Sequence, residues 1–195
     1  LIFIVILQYR RVKMSHFNIG VVVGSLRKDS YNKQTAKALT SLFPQEFTFQ
    51  FLDIGTLPLY NQDDDDKTPE AVVEFKQQIK QCQGIIFVTP EYNRSIPGVL
   101  KNALDQASRP YGTNAWDSIP AGIIGVSIGN ISTAIAQQHL RNSLAFLNMP
   151  TLNQPECFLK WYDGMVENGQ FSEKTAGFMQ NWVNSYINFV KHNQK

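Results

Sequence analysis

Apolar and polar positions along the chain form blocks that predict strands separated by helices. Runs of apolar residues predict strands at 18–24, 47–52, 84–89 and 121–126, and a shorter fifth strand near 149–152. Most of these runs are apolar without interruption, which is typical of a parallel sheet that helices cover on both faces.

The segments between these strands carry apolar residues at helical spacing. They predict helices over 31–43, 69–82, 97–107, 133–147 and 172–190, with Thr68 as the N-cap of the second helix and Pro69 in its first turn. In the last helix Met179, Trp182, Tyr186 and Val190 form one stripe, which we interpret as core. The alternation predicts one domain, an open, doubly wound α/β fold with a five-stranded parallel sheet.

The first thirteen residues differ from the rest of the chain. Residues 1–7 are apolar and Arg10, Arg11 and Lys13 follow them, the reverse of the order in a secretory signal. We expect residues 1–13 to be an extension outside the fold and the domain to run from 14 to 195. An added edge strand, a membrane-surface anchor and a partner arm are the alternatives.

Composition and charge exclude several classes of protein. A hydrophobic share of 43% is too high for a disordered chain. The chain has 18 Lys and Arg residues against 16 Asp and Glu residues, but three of the 18 lie in the extension. Without the extension the formal net charge is −1, so the charge predicts no nucleic-acid binding. The longest apolar run, 1–7, is too short to span a bilayer.

Cysteines and acidic residues predict no metal site. Cys82 and Cys157 lie too far apart in the chain for a C-x-x-C redox pair, and we expect a reducing compartment, the cytoplasm. The acidic run 63–66 lacks the ligand spacing of a calcium loop, so we expect a solvated loop there.

Polar residues after the first strand suit a phosphate. In the segment 24–32, Ser25, Ser30 and Asn32 offer short donors, Arg27 offers a cationic fork, and the next helix offers free N–H groups. Asp53 follows the second strand, where a dinucleotide-binding fold places its ribose-binding acid. The segment lacks the G-x-G-x-x-G pattern of such folds, however, so a terminal monophosphate fits better than a dinucleotide. An ordinary polar loop is the alternative.

Two further segments follow strands at the same edge of the predicted sheet. In 89–105, Tyr92 and Asn93 would stand above the central strand, where an aromatic ring can stack on a flat ligand, while Ser95 could cap the next helix. In 125–129, G-x-S-x-G around Ser127 matches a hydrolase nucleophile elbow, and Asp163 and His192 follow in hydrolase order. An elbow needs a helix directly after the serine, so we favour a role for Ser127 at a ligand rim.

Two segments carry a resemblance to a known family. GSLRKDSYN (24–32) and PEYNRSIPGVLKNALDQASRP (90–110) resemble the signatures of the NAD(P)H-dependent FMN reductases of flavodoxin-like fold, in the chromate, quinone and azo-dye reductase branch. The resemblance covers 14–195. It implies that the cofactor FMN is bound by Ser25, Leu26, Arg27, Ser30, Tyr31 and Asn32 around its phosphate, by Pro90, Glu91, Tyr92 and Asn93 along its ring, and by Ser127 at the far rim.

The resemblance also implies an activity. Electrons would pass from NADH or NADPH through FMN to a small acceptor, a quinone, flavin, chromate or azo compound, by a ping-pong mechanism in a homodimer or homotetramer. No protein nucleophile is required, and Tyr92 and Asn93 would be positioning residues. The alternatives are a flavodoxin-type electron carrier, disfavoured by Arg27 and the near-neutral charge, and a Ser127 hydrolase.

One segment departs from the family pattern. Asn130, Ile131 and Ser132 stand where the family often has a glycine pair. We expect their Cβ atoms to restrict positive φ angles and close approach to the ring edge.

Overall fold

The computed structural model describes residues 16–194, in which five parallel strands form one sheet between helices. The strands of that sheet are β1 Phe17–Val23, β2 Phe47–Leu52, β3 Gly84–Val88, β4 Ala121–Ser127 and β5 Phe158–Lys160. The helices are α1 Tyr31–Thr40, α2 Glu70–Lys80, α3 Gly98–Ser108, α4 Ala134–Phe146 and α5 Glu173–His192. A separate hairpin pairs β6 Val166–Glu167 with β7 Gln170–Phe171. The α/β sheet predicted from the sequence is confirmed.

The strand order β2-β1-β3-β4-β5 brings three loops to one edge of the sheet. β1 pairs with both β2 and β3, so Val21 lies opposite Phe51 on one side and Ile86 on the other. The order therefore reverses between β1 and β3, and such a switch point is where open α/β sheets bind ligands. We call 24–30 the first loop, 89–97 the second loop and 128–133 the third loop; they follow β1, β3 and β4 respectively.

Helices bury both faces of the sheet. On one face α1 and α5 pack their apolar sides on the strands, and the predicted α5 stripe is fully buried, with Trp182 and Tyr186 stacked at 5.3 Å between ring centroids. On the other face α2, α3 and α4 surround the buried Trp116, whose indole N–H donates to the carbonyl of Leu104 at 3.2 Å. The sheet is thus buried on both sides, as its apolar strands predicted.

The position predicted for the fifth strand is wrong. The segment 149–152 makes only a single bridge, Thr151 opposite Ala121, and the strand that extends the sheet, β5, lies at Phe158–Lys160. Pro155 lies between the bridge and β5 and lacks the N–H group that a ladder needs, so pairing is interrupted there.

Two local predictions near α2 need correction. Thr68 does not cap α2: it ends a short 3₁₀ helix, Gln62–Lys67, and Pro69 takes the N-cap position without a side-chain hydrogen bond. The acidic run 63–66 lies inside that 3₁₀ helix and is not the plain loop expected, because Asn61 accepts from the N–H of Asp63 at 3.2 Å and starts a turn.

Neither a membrane-spanning helix nor a metal-binding cluster is found among the described residues. Within 16–194 no helix is both long and apolar enough to cross a bilayer, and no group of three His, Cys, Asp or Glu side chains could hold a metal ion. The prediction that 1–13 is an extension lies outside the described residues.

Candidate functional site

Glycine at the start of the first loop joins two of the three loops. The Gly24 N–H donates to the carbonyl of Val88 at 2.9 Å, and a Cβ on Gly24 would lie 2.8 Å from Oγ1 of Thr89. Real Cβ atoms essentially never approach so closely, so only glycine lets the end of β1 lie against the end of β3. The start of the first loop therefore lies beside the start of the second loop.

The first loop ends at the positive end of a helix. Oγ of Ser30 accepts from the N–H of Lys33 at 3.2 Å and caps α1, whose first turn carries no acidic side chain. Capping satisfies one N–H group, and the other N–H groups of the first turn have no partner within the helix. Those groups and the helix dipole favour an anion at this point.

Two side chains of the first loop are available to that anion. Ser25 is half-buried and Arg27 is exposed, and within 16–194 no protein group hydrogen-bonds either side chain. The Arg27 guanidinium instead lies over the ring of Tyr31, 5.1 Å from its centroid. Leu26 is 61% exposed and covers Gly55, where an added Cβ would lie 3.0 Å from Cδ2 of Leu26. The cationic fork thus has its N–H donors free.

Asn32 has a different role from the predicted phosphate contact of its side chain. Nδ2 of the buried Asn32 donates to the carbonyl of Val126 at 2.9 Å, and the N–H of Val126 donates to Oδ1 at 3.0 Å. This pair of hydrogen bonds fastens the start of α1 to β4. The Asn32 side chain therefore positions the loop, and a phosphate would meet the backbone of this residue.

The second loop contains a tight turn. Tyr92 and Ser95 exchange backbone hydrogen bonds of 2.9 and 3.0 Å, and the central residues Asn93 and Arg94 have φ angles of +51° and +64°. Two positive φ angles in a two-residue connection define a type I′ turn, which is costly for residues other than glycine and asparagine. The turn leaves the Tyr92 ring 51% exposed.

Ser95 belongs to this turn and does not cap α3, whose N-cap is Pro97. Its hydroxyl lies 3.0 Å from Nδ1 of His139 on α4. The cap suggested for Ser95 by the sequence is therefore wrong, since Pro97 separates it from the first turn of α3.

The Glu91 carboxylate caps α4. Its Oε2 accepts from the N–H groups of Ile135 and Ala136, both at 3.0 Å, and its Oε1 lies 3.4 Å from Nη1 of Arg94. Neighbouring Pro90 is buried. A ligand ring would consequently meet the backbone of 90–91 rather than the Glu91 carboxylate.

Ser127 lacks the surroundings of a nucleophile. Its Oγ accepts from the N–H of Gly129 at 3.2 Å, and α4 begins only at Ala134. No hydrogen bond in the described part of the chain joins Ser127 to Asp163 or His192. The G-x-S-x-G segment is therefore a strand end at the cleft and not a nucleophile elbow.

The third loop adopts the backbone conformation that its side chains were expected to restrict. Ser132 has a φ of +54°, and its hydroxyl donates to the carbonyl of Leu159 at 2.6 Å, which secures the loop to β5. A cleft of about 430 Å³ remains open beside it, lined by Glu91, Arg94, Ser127, Gly129, Asn130, Ile131 and Ser132. The expected restriction of positive φ is wrong at Ser132.

Comparison with known proteins decides the family. A profile of the family described as NADPH-dependent FMN reductase matches residues 17–162. The chain belongs to this family. The reductase is 53% identical over 175 residues to a 2-hydroxy-1,4-benzoquinone reductase of Burkholderia sp, covering 89% of this chain and 96% of that one. It is 43% identical over 180 residues to a quinone reductase of Pseudomonas putida, with 91% and 97% coverage.

A solved structure agrees with these relatives. The flavoenzyme NAD(P)H:(acceptor) oxidoreductase FerB from Paracoccus denitrificans superposes with a TM-score of 0.87 at 40% identity, over 91% of this chain and 98% of that one. The fold is flavodoxin-like, and the protein is an NAD(P)H-dependent oxidoreductase with FMN as cofactor. The electron-carrier and hydrolase alternatives are not supported.

The described residues fit FMN. Ser25, Arg27 and the first turn of α1 form an anion site. The exposed ring of Tyr92 belongs to the second loop, between Glu91 and Arg94, which line the cleft of about 430 Å³. A phosphate suits the first part and a flat ring the second. The individual residue assignments stay predictions.

The structure adds residues that sequence reasoning missed. Lys33 lines a cleft of about 290 Å³ beside the first loop together with Arg27 and Asp53. Arg94 lines the cleft of about 430 Å³. Its position directly after Tyr92 and Asn93 in the second signature could have indicated a place at the site. Trp161 stacks on Tyr31, and nothing in its sequence context predicted that contact.

Proposed function

We propose that the reductase uses a quinone as its electron acceptor, in preference to flavins, chromate or azo compounds. The observation that carries this proposal is the relative at 53% identity, which is named for 2-hydroxy-1,4-benzoquinone. The open cleft of about 430 Å³ between the second and third loops supports it, since a small planar ring needs such a space.

In this proposal the first loop holds the FMN phosphate. Ser25, Arg27 and the free N–H groups of α1 bind the phosphate oxygens, with Ser30 and Asn32 keeping the loop in place. Backbone groups of the second loop, the Tyr92 ring and Ser127 bound the isoalloxazine. When bound, FMN supplies the two-electron chemistry that links nicotinamide oxidation to acceptor reduction.

Arg94 places a cationic side chain in the acceptor cleft. Of the residues that line the cleft, Arg94 is the cationic one, and its side chain is 65% exposed although it pairs with Glu91 at 3.4 Å. A hydroxyquinone readily loses a proton and carries its negative charge on ring oxygens. We therefore assign Arg94 to binding acidic quinones, and Arg94→Gln should raise KM more for 2-hydroxy-1,4-benzoquinone than for unsubstituted benzoquinone.

Nicotinamide and acceptor would occupy the larger cleft in turn. This arrangement is the basis for a ping-pong mechanism, for which steady-state kinetics with NADPH or NADH and a quinone should give parallel double-reciprocal lines. Intersecting lines would contradict it. Higher kcat/KM for chromate or an azo dye than for any quinone would contradict the proposed acceptor.

The phosphate assignment has its own test. A hydrogen bond to a charged group contributes about 1.5–3 kcal/mol, so Arg27→Ala should weaken FMN binding about 10- to 150-fold. Riboflavin, which lacks the phosphate, should bind the variant almost as it binds the wild type. Equal losses for both ligands would remove Arg27 from the phosphate site.

Assembly and location complete the proposal. We propose a homodimer or homotetramer, supported by Phe146, 86% exposed, on a groove between α3 and α4. Analytical ultracentrifugation of the wild type and Phe146→Ser tests this assignment, since a monomeric wild type would contradict it.

A cytoplasmic location fits the use of NAD(P)H and the two free cysteines, and fractionation of cells that express the protein tests it.

A further inference from the structure

Two neighbouring side chains, Arg27 and Tyr31, and the distant Trp161 stack beside the first loop. The rings of Tyr31 and Trp161 lie 4.2 Å apart between centroids, with 19° between their planes. The Arg27 guanidinium carbon lies 5.1 Å from the centroid of the Tyr31 ring. Arg27 and Trp161 therefore both contact the ring of Tyr31.

The end of this stack at Trp161 is anchored to the sheet. Trp161 directly follows β5, and its N–H donates to the carbonyl of Ser127 at 2.9 Å, which continues the pairing of β4 with β5. Tyr31 is the first residue of α1. Both rings are half-buried, whereas Arg27 lies on an exposed loop. The stack therefore connects a long, exposed side chain to two ordered elements.

No acidic side chain competes for Arg27. Within 16–194 none of the ion pairs involves Arg27, and its guanidinium lies against the Tyr31 ring. A guanidinium held by a ring face keeps its N–H donors, which lie in its own plane, for another ligand. A carboxylate partner would instead occupy those donors and neutralise the charge.

We propose that Trp161 is a positioning residue for the FMN phosphate. Trp161 holds the Tyr31 ring in place, and that ring orients the Arg27 guanidinium toward the phosphate. The proposal rests on the phosphate site proposed above. It adds a residue outside the phosphate motif, 134 positions along the chain from Arg27.

The test compares FMN with riboflavin in two Trp161 variants. Trp161→Leu keeps an apolar side chain but removes the ring face, and it should weaken FMN binding about three- to tenfold. Riboflavin affinity should stay within about twofold of the wild type, because the phosphate is absent. Trp161→Phe restores a ring and should recover most of the FMN affinity. Flavin fluorescence titration of the apoprotein measures both ligands.

A matched control separates positioning from folding. Tyr162 lies next to Trp161, and its hydroxyl bonds Ser172 and Thr175 at 2.6 Å without joining the stack. Tyr162→Phe should lower the melting temperature and leave the ratio of the riboflavin Kd to the FMN Kd unchanged. If Trp161→Leu behaves in the same way, Trp161 is structural and the proposal is overturned.

A double-mutant cycle ties the effect to Arg27. In an Arg27→Ala background, Trp161→Leu should cause no further loss of FMN affinity, because the side chain that it orients is gone. A loss of the full three- to tenfold in that background would overturn the role of Trp161. If Arg27→Ala itself spares the ratio of the two Kd values, the phosphate site fails and this inference fails with it.

Discussion

Replacing Glu91 by alanine should detach the second loop from α4. In the structure one carboxylate oxygen of Glu91 accepts from two N–H groups of the first turn of α4, at 3.0 Å each, and only 7% of the side chain is exposed. Thr133, the N-cap residue of α4, makes no side-chain cap of its own. The N-terminus of α4 is therefore capped by the Glu91 carboxylate of the second loop, and not by its own N-cap residue.

The size of the effect follows from those contacts. A hydrogen bond to a charged group contributes about 1.5–3 kcal/mol, and loss of a cap costs about 0.5–2 kcal/mol. The two contacts share one oxygen, so we expect Glu91→Ala to lower the free energy of unfolding by about 2–3 kcal/mol. For a chain of this size about 2–4 °C corresponds to each kcal/mol, which gives a fall in Tm of about 4–12 °C.

Thermal unfolding of the apoprotein measures this prediction, and three variants serve as controls. Glu91→Gln keeps an oxygen acceptor without the charge and should lose less than half as much stability. Arg94→Ala removes an ion pair of 3.4 Å whose Arg94 side chain is 65% exposed, and it should cost at most about 1 kcal/mol. Glu74→Ala, an exposed glutamate on α2, should change Tm by less than about 2 °C. A Glu91→Ala protein as stable as the Glu74→Ala protein would refute the capping role.

Further predictions concern the core, the thiols, the extension and the strand end. Tyr186→Phe should leave stability unchanged or raise it by up to about 1–2 kcal/mol in urea unfolding, because the buried Tyr186 hydroxyl has no hydrogen-bond partner among residues 16–194. Burial raises the pKa of Cys82 to about 11 and raises that of Cys157 further, so a thiol reagent at pH 8 should label neither until the protein is denatured. Deleting residues 1–13 should leave Tm and FMN content nearly unchanged; a fall of many degrees would show that the segment packs on the fold. Ser127→Ala should keep at least about a tenth of the quinone reductase activity, since a neutral hydrogen bond contributes about 0.5–1.5 kcal/mol. Hydrolysis of activated esters by the wild type that vanishes in Ser127→Ala would instead restore the nucleophile hypothesis.

Hydrophobic periodicity predicted the sheet because burial on two faces leaves a strong signal. β3 is buried at every residue, and a run of five apolar positions shows this without any knowledge of its neighbours. β5 has no buried residue and spans only three positions, so its pattern carries no such signal. Its place in the sheet depends on pairing with Gly125 and Ser127, which lie more than thirty positions earlier.

The short hairpin of β6 and β7 was missed for a different reason. Its turn, Asn168–Gly169, has φ angles of +51° and +76°, as a type I′ turn requires, and Asn-Gly is the usual pair for that turn. Two-residue strands are too short for periodicity to show, so the turn chemistry was the available signal. Reading Asn-Gly between Glu167 and Gln170 would have predicted the hairpin.

The location of the cleft was predictable, whereas the work of its polar side chains was not. Parallel strands bring their carboxyl ends to one edge, so the loops after β1, β3 and β4 had to meet. The partners of Asn32 and Glu91 lie 94 and about 45 positions away along the chain. Spacing within a motif cannot show contacts over such distances, so the sequence alone indicates a ligand-binding role for both residues.

These contacts explain how exposed loops can form a preorganised cleft. Asn32 ties the first loop to β4, Glu91 ties the second loop to α4, and Ser132 ties the third loop to β5. Because each of these side chains uses its polar atoms for hydrogen bonds to the protein backbone, it holds its own segment in a fixed direction. On the proposed site assignment, the cofactor would meet N–H groups that need no rearrangement, which lowers the entropy cost of binding. Exposed Arg27 is the exception, and for that reason its orientation depends on the ring stack beside it.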